Sequence, residues 1–320
     1  MIKIGLMGFG TVGKATYEIL NEQRENIENF IGSYEIEKIL VRDLKKHNYE
    51  NIDKAIFTDN IEEFADSSLN VIIELTGSID EIYPYMIKQM KDSKNIISAN
   101  KAFISKYFEQ LTEIAITENI SFQYEAAIGG AIPIIEELKI IKALNEIDSV
   151  CGVLNGTCNF ILSKMESGKD YEAALIEAQA IGFAEADPSA DVEGLDTLRK
   201  LRILASLAFG KPVLEEQIEL EGITKLERKE LEKAIENSER IKLVAEAKML
   251  KTGEVIAKVA PKSVPIDSVL GGLIDGENAV ILNCSNAGEL VFKGAGAGGR
   301  ATAFSVISDL INIYRKERRA

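Results

Sequence analysis

Ile2-Lys3-Ile4-Gly5-Leu6-Met7-Gly8-Phe9-Gly10-Thr11-Val12-Gly13 opens the chain. Its first six residues have the short apolar character of a buried strand, and Ala15, Tyr17, Ile19 and Leu20 continue as a helical pattern. A GxGxxG run alone is a weak signal. Between a strand and a helix it predicts a dinucleotide loop. Gly8 permits the tight turn, Gly10 lets the backbone approach a pyrophosphate, and Gly13 lets the helix pack on the strand; Phe9, Thr11 and Val12 complete the loop. A glycine turn in some other α/β fold is the plainer alternative.

The segments that follow repeat the rhythm. A second strand at 36–41 ends in Arg42-Asp43. In a dinucleotide fold an acid there binds the ribose hydroxyls and a nearby Arg accommodates a 2′-phosphate, so Arg42 leans towards NADP without excluding NAD. Lys45, Lys46 and His47 behind it read equally well as a solvated basic turn. Strands at 70–75, 95–98 and 120–124 alternate with helices at 80–91 and about 105–118. This predicts a doubly wound parallel, Rossmann-type α/β sheet. Ligands in such sheets lie beyond the carboxyl ends of strands. The loop at 8–13, Thr76-Gly77 and Ala99-Asn100-Lys101 are therefore expected to converge on one crevice. Lys101 alone is a surface lysine; its place at a strand end makes it a candidate.

Composition bounds the function. The chain has 320 residues, 46% hydrophobic and 28% charged, enough for two domains with sizeable cores. A formal charge of −14 disfavours nucleic acid and anionic membranes as partners. No leader or membrane span is expected, and the three cysteines (Cys151, Cys158, Cys284) fit neither a zinc pair nor a disulfide framework, which suits a cytoplasmic protein. The single histidine, His47, makes a catalytic or metal-binding His improbable on count alone. Acid–base work falls to Lys, Asp, Glu, Tyr or Cys.

The second half carries three further signals. Glu125 sits among apolar neighbours before Gly129-Gly130, where a buried carboxylate wants a cation; a linker turn explains the segment equally well. Asn155-Gly156-Thr157-Cys158-Asn159 follows a strand at 149–154 and could present amides and a hydroxyl to a substrate, or simply cap a helix. Residues 182–200 read Gly-Phe-Ala-Glu-Ala-Asp-Pro-Ser-Ala-Asp-Val-Glu-Gly-Leu-Asp-Thr-Leu-Arg-Lys, with five carboxylates between Glu185 and Asp196. The helix expected over 194–209 places Asp196, Lys200, Ile203 and Leu207 on one stripe beside an apolar face, with Arg199, Arg202 and Ser206 on a wet face opposite. An acid and a lysine at i, i+4 then point inward or into a cleft; an ordinary surface ion pair between them is an equally good reading. Residues 225–242 read as a charged, solvated helix, 255–260 and 279–283 as strands of a second sheet, and 294–299 as a second glycine loop opening the last helix.

Taken together, the motifs at 8–13, 99–101, 124–130, 155–159, 182–200 and 294–298 resemble homoserine dehydrogenase, over nearly the whole chain. The stretch at 182–200 is the specific part. The resemblance implies reversible hydride transfer between L-homoserine and L-aspartate 4-semialdehyde with NADP or NAD. It implies Lys200 as the acid–base group, Lys101 beside the nicotinamide, and Glu185 and Asp196 holding the substrate. It further implies a monovalent cation such as sodium at Glu125, Ile128, Gly130 and Ile132, largely through main-chain carbonyls. Gly296 is expected to meet the cofactor, although Arg300 stands near where relatives often carry Pro. The implied architecture is a dinucleotide domain of residues 1–130 plus 296–320, with an inserted α+β substrate and dimerisation domain at 131–295. A homodimer is expected, and no kinase or C-terminal regulatory domain.

The chemistry is consistent with those residues. Reducing an aldehyde requires a proton donor on its oxygen, and a lysine serves once burial and a second cation lower its pKa from about 10.4. Lys101 and Lys200 are expected to face that oxygen. Two other readings stand beside this one. A semialdehyde dehydrogenase would use Cys158 or Cys151 as nucleophile, and a non-catalytic regulator would bind cofactor without turnover.

Overall fold

The computed structural model describes residues 1–45, 52–66 and 68–315. Lys46 and His47 of the expected basic turn lie outside them. The chain divides into two compact units, Met1–Ala127 with Gly298–Ala320, and Ile128–Ala297.

The first unit is a six-stranded sheet: β1 (Ile2–Met7), β2 (Tyr34–Leu40), β3 (Phe57–Thr58), β4 (Val71–Glu74), β5 (Asn95–Ser98) and β6 (Phe122–Gln123). Its order is β3-β2-β1-β4-β5-β6 and every pairing is parallel. Ile4, Leu6, Ile72, Ile73, Ile96 and Ile97 are each 0% exposed, as befits strands covered on both faces. The helices are α1 (Thr11–Glu22), α2 (Arg24–Ile31), α3 (Ile61–Asp66), α4 (Tyr83–Lys91), α5 (Lys101–Thr117) and, from the far end of the chain, α12 (Gly299–Tyr314). Helix α12 packs on α1 and ties to the sheet, where Asn95 Nδ2 donates to Tyr314 Oη at 2.9 Å. The strand order reverses between β1 and β4, which puts the ligand crevice at their carboxyl ends.

Helix α5 begins at Lys101 rather than near 105, because the Asn100 side chain caps it by accepting from Phe103 N–H at 3.1 Å. A non-helical Tyr107 (φ −118°, ψ 20°) then kinks it.

The second unit has a mixed sheet of β7 (Ile147–Val153), β8 (Ile218–Leu220), β9 (Glu239–Met249), β10 (Val255–Pro265), β11 (Glu277–Cys284) and β12 (Gly288–Ala295), in the order β12-β11-β7-β9-β10-β8. All pairings are antiparallel except β8 with β10. Its helices are α6 (Ile135–Leu144), α7 (Gly156–Glu166), α8 (Tyr171–Ala180), α9 (Ser189–Val192), α10 (Leu195–Phe209) and α11 (Arg228–Glu236). Among the described residues no helix is long and apolar enough to cross a membrane.

Three sequence expectations are corrected here. Helix α10 has no wet face: Arg202 and Ser206 are buried, Arg199 is half-buried, and the helix packs against strands β7 to β10 and helices α6 and α9. Ser206 joins the interior by donating to Arg202 O and accepting from Val213 N–H. Residues 225–242 are not one solvated helix, since Ser238 takes φ +59° and ends the helical path before β9. Gly294 and Ala295 belong to strand β12, so the second glycine loop is only residues 296–298.

The β9 start buries Lys242 at 0% exposure, with its ammonium donating to Asn159 Oδ1 and Leu273 O at 2.8 Å each. Burial pulls its pKa down from 10.5 to about 8, against the pull of Glu166. For a base depressed in the fold, the unfolded chain binds more protons between those two values, so stability rises with pH through that window. Denaturant unfolding at pH 7.5 and pH 10 should therefore show wild type gaining about 1–3 kcal/mol relative to Lys242→Met. Equal pH dependence in the two proteins would refute the burial of a charged amine at this site.

Candidate active site

In the first unit the glycine loop is shaped as its sequence suggests. Gly8 takes φ +105°, a conformation costly for other residues. A Cβ at Gly13 would collide with the Gly8 carbonyl oxygen, so glycine is required for helix α1 to approach β1. Nothing lies within 4 Å of a Cβ built at Gly10, the space a pyrophosphate would use. Gly10 is also the N-cap of α1, with no side chain capping the helix and no acid in its first turn. Those N–H groups and the positive end of the helix dipole suit an anion. Thr11 is exposed and Val12 half-buried, whereas Phe9 turns into the core, edge-on to Phe57 at 5.2 Å and Tyr17 at 5.9 Å. Phe9 can therefore offer the loop only its main chain.

Arg42 is exposed just after β2, and Asp43 Oδ1 accepts from Lys45 N–H at 2.9 Å, closing an Asx turn. Gly8 abuts the Leu75–Thr76 main chain at the strand-order reversal. Thr76 and Ala99 are half-buried, Gly77 is exposed, and half-buried Lys101 begins α5. So the residues at 8–13, 76–77 and 99–101 do gather at adjoining strand ends.

Behind them lies a residue that sequence reading passed over. Glu74 ends β4 and is 0% exposed. Burial pushes its carboxyl up, opposed by hydrogen bonds from Ser98, Thr76 and Asn100. The available signal was a lone acid closing the apolar run Val71-Ile72-Ile73, directly before Leu75-Thr76-Gly77.

In the second unit Lys200 and Asp196 face one another at 2.8 Å, both buried. The Lys200 ammonium also donates to Leu154 O at 2.7 Å. Asn155 joins the group: its Nδ2 lies 3.0 Å from Asp196 Oδ2 and 2.7 Å from Asp191 Oδ1, while its Oδ1 caps α7 by accepting from Cys158 N–H at 2.8 Å. Asp191 was one of five acids in its stretch, with nothing in its spacing to mark it. Gly156 is buried, its Cβ position 3.0 Å from Gly276 O, and Thr157 Oγ donates to Phe183 O at 2.7 Å. Glu185 is exposed on the turn after α8, where its carbonyl accepts from Gln179 Nε2. The geometry thus brings Asp191, and not Glu185, to Asn155.

The residues expected around a cation fall in both units. Glu125 is buried, its N–H donating to Asp309 Oδ2 at 2.9 Å. Ile128, Gly130 and Ile132 are buried, with Gly130 at φ +62° against the main chain of Ala295 and Gly296. Gly296 is itself packed on the Asn278 side chain. Among the described residues no group of three or more His, Cys, Asp or Glu could hold a metal ion.

The thiols are poor nucleophiles. Burial pushes Cys151 up to about 12, helped by Glu246, and raises Cys158 well above its ordinary value, helped by Asp191 and Asp196. Protonated thiols argue against the cysteine-based alternative.

Asn155→Ala should remove a helix cap and leave the buried Asp196 and the half-buried Asp191 carboxylates each short of a donor, a loss of roughly 2–4 kcal/mol in urea unfolding. A loss below about 0.5 kcal/mol would show that the amide bridges nothing.

Comparison with known proteins agrees with this layout. Residues 8–125 match the family model described as homoserine dehydrogenase, NAD binding domain, and residues 133–311 match the one described as homoserine dehydrogenase. Homoserine dehydrogenase of Neisseria gonorrhoeae is 38% identical over 318 residues, 98% of this chain and 72% of that protein. The crystal structure of a homoserine dehydrogenase from Thiobacillus denitrificans superposes with a TM-score of 0.92 at 34% identity, over 98% of this chain and 73% of that one. A hyperthermophilic archaeal homoserine dehydrogenase mutant, solved in complex with NADPH, gives 0.81 at 27% identity over 98% and 97%. Matched in both of its units, the chain belongs to the homoserine dehydrogenase family of NAD(P)-dependent oxidoreductases.

Proposed function

We propose that this chain interconverts L-homoserine and L-aspartate 4-semialdehyde with Lys200 as its acid–base group. The observation that carries this assignment is the buried Lys200–Asp196 pair at 2.8 Å, bridged to Asn155 and held by Leu154 O. An ammonium has three donors. Two are engaged by Asp196 and Leu154 O, which leaves the third for a substrate oxygen. In the reducing direction Lys200 gives a proton to the aldehyde oxygen as the carbonyl carbon gains hydride. In the oxidising direction its neutral amine takes the hydroxyl proton. The nicotinamide of the bound cofactor supplies or accepts the hydride. Asp196 orients Lys200, and Glu185 is left, as in the family, to meet the substrate's ammonium group. Lys101, at the carboxyl end of β5, is assigned to the nicotinamide side of the reaction.

NADP is the proposed cofactor. Supporting this, Arg42 is exposed just after β2, where the fold's usual acid would bind the ribose and a basic side chain favours a 2′-phosphate, and the Asp43 carboxylate accepts from Lys45 N–H. The NADPH complex of the archaeal relative supports the same choice. A monovalent cation at Glu125, Ile128, Gly130 and Ile132 is also proposed; main-chain oxygens suit a hard cation, and Gly130 keeps side-chain atoms out of the turn. A homodimer is proposed through the second sheet, where the ladder register aligns half-buried Cys151 and Ile281 with exposed Val291 on one face.

Lys200→Met should lower kcat by about 10²–10⁴ while NADPH affinity, read by nicotinamide fluorescence, stays within about twofold. Turnover near wild type would remove Lys200 from the chemistry. Arg42→Ala should raise the KM for NADPH by about tenfold and leave that for NADH nearly unchanged. Equal effects on both cofactors would count against a 2′-phosphate contact.

A further inference from the structure

The loops after β4 and β5 are joined in a closed ring of hydrogen bonds around Glu74. One carboxylate oxygen accepts from Thr76 N–H and Thr76 Oγ at 2.7 Å each, and the other accepts from Ser98 Oγ at 2.6 Å. Each hydroxyl then turns a lone pair to the loop. Thr76 Oγ accepts from Ser78 N–H at 3.3 Å, and Ser98 Oγ accepts from Asn100 N–H at 3.1 Å. Asn100 Nδ2 closes the ring by donating to Ser78 O at 2.6 Å. Asn100 Oδ1 caps α5, the helix whose first residue is Lys101.

We propose that Glu74 is a positioning residue that fixes the main-chain path of residues 76–78 and 98–101, and through it the cofactor-facing Thr76-Gly77 turn and the start of the Lys101 helix. This rests on the cofactor and Lys101 assignments made above.

A carboxylate accepts and never donates, so both hydroxyls must point their hydrogens inward and their lone pairs outward. Fold stability alone would be served by another apolar residue in this run, since Ile72 and Ile73 beside it are also fully buried. An acid buried here, at the carboxyl ends of parallel strands, carries a desolvation cost that a site requirement explains. Burial also leaves no bulk water to replace a missing acceptor. Glutamine keeps the shape but brings a donor to one of the hydroxyls.

The test uses Glu74→Gln, Ser98→Ala and the double variant of the full chain. It reads urea midpoints, NADPH Kd by fluorescence titration, and kcat and KM with L-homoserine and NADP⁺. Folded Glu74→Gln should raise the NADPH Kd and lower kcat, each by about tenfold, with the KM for L-homoserine changing less than about threefold. Ser98→Ala should move the same parameters less, and the double variant should be no worse than Glu74→Gln, because both act through one bond. A purely structural role would shift the urea midpoint and leave Kd and kcat of the folded protein alone; that result, or losses that multiply in the double variant, overturns the proposal. If Glu74→Gln does not fold, Ser98→Ala decides, and unchanged Kd and kcat there overturn it. Wild type that binds NADPH without oxidising L-homoserine would sink the proposed function separately, and the Kd measurements would still judge Glu74.

Discussion

An ammonium and a carboxylate 2.8 Å apart on a helix buried on every side cannot be solvated by water, so the protein must solvate them. That requirement shapes the second unit. Leu154 O must turn to Lys200 at the end of β7, and Asn155 must turn its amide to Asp196 and Asp191. The same Asn155 then caps α7 with its remaining oxygen. The strand end, the polar turn, the short helix α9 and the central helix α10 are thereby fixed by one small polar cluster. Removing a partner leaves a buried charge, which costs more than the intact pair contributes to stability.

The first unit meets a related demand with backbone. Its sheet order brings the carboxyl ends of β1, β4 and β5 side by side, and the first N–H of each following loop (Gly8, Leu75, Ala99) still donates to a neighbouring strand, beyond which the loops need other partners. At the glycine loop helix α1 starts with no side-chain cap and no acid in its first turn, an N-terminus suited to an anion. The loops after β4 and β5 are satisfied internally, by hydroxyls and by Asn100. The glycine loop thus ends in an uncapped helix start, whereas the loops after β4 and β5 are tied to one another by side-chain hydrogen bonds.

Much of this was legible because it rests on local pattern. The apolar runs and glycine spacing gave the parallel sheet, and the i, i+4 spacing of Asp196 and Lys200 gave their pairing. Where the sequence misled, tertiary context overrode pattern. Arg202 and Ser206 occupy the polar side of a helical wheel, yet α10 lies inside its unit and that side is covered too. Lys242 ends a charged run that reads as solvated, yet a left-handed Ser238 turns the chain into a central strand. Asp191 has no distinguishing local spacing, and Glu74 shows in the sequence only as a lone acid closing an apolar run. Their roles arise from hydrogen bonds to residues 36 and 24 positions away, Asn155 and Ser98.

The acidic character of the chain bears on how an anionic cofactor can be held. A formal charge of −14 repels a dinucleotide phosphate at long range, but exposed charges are screened beyond about 8–10 Å at ordinary ionic strength. The glycine loop itself contains no acidic residue, Arg42 is exposed, the Asp43 carboxylate is turned to its own backbone, and the nearby Glu74 carboxylate is buried and hydrogen-bonded to Thr76 and Ser98. The acids nearest in sequence to the loop, Glu18 and Glu22 on α1, pair with Arg300 of α12 at 3.8 and 2.6 Å. Arg300 thereby lessens the negative charge along α1. The net charge of the whole chain is therefore no obstacle to an anion held at short range by oriented N–H groups, whose contribution is local.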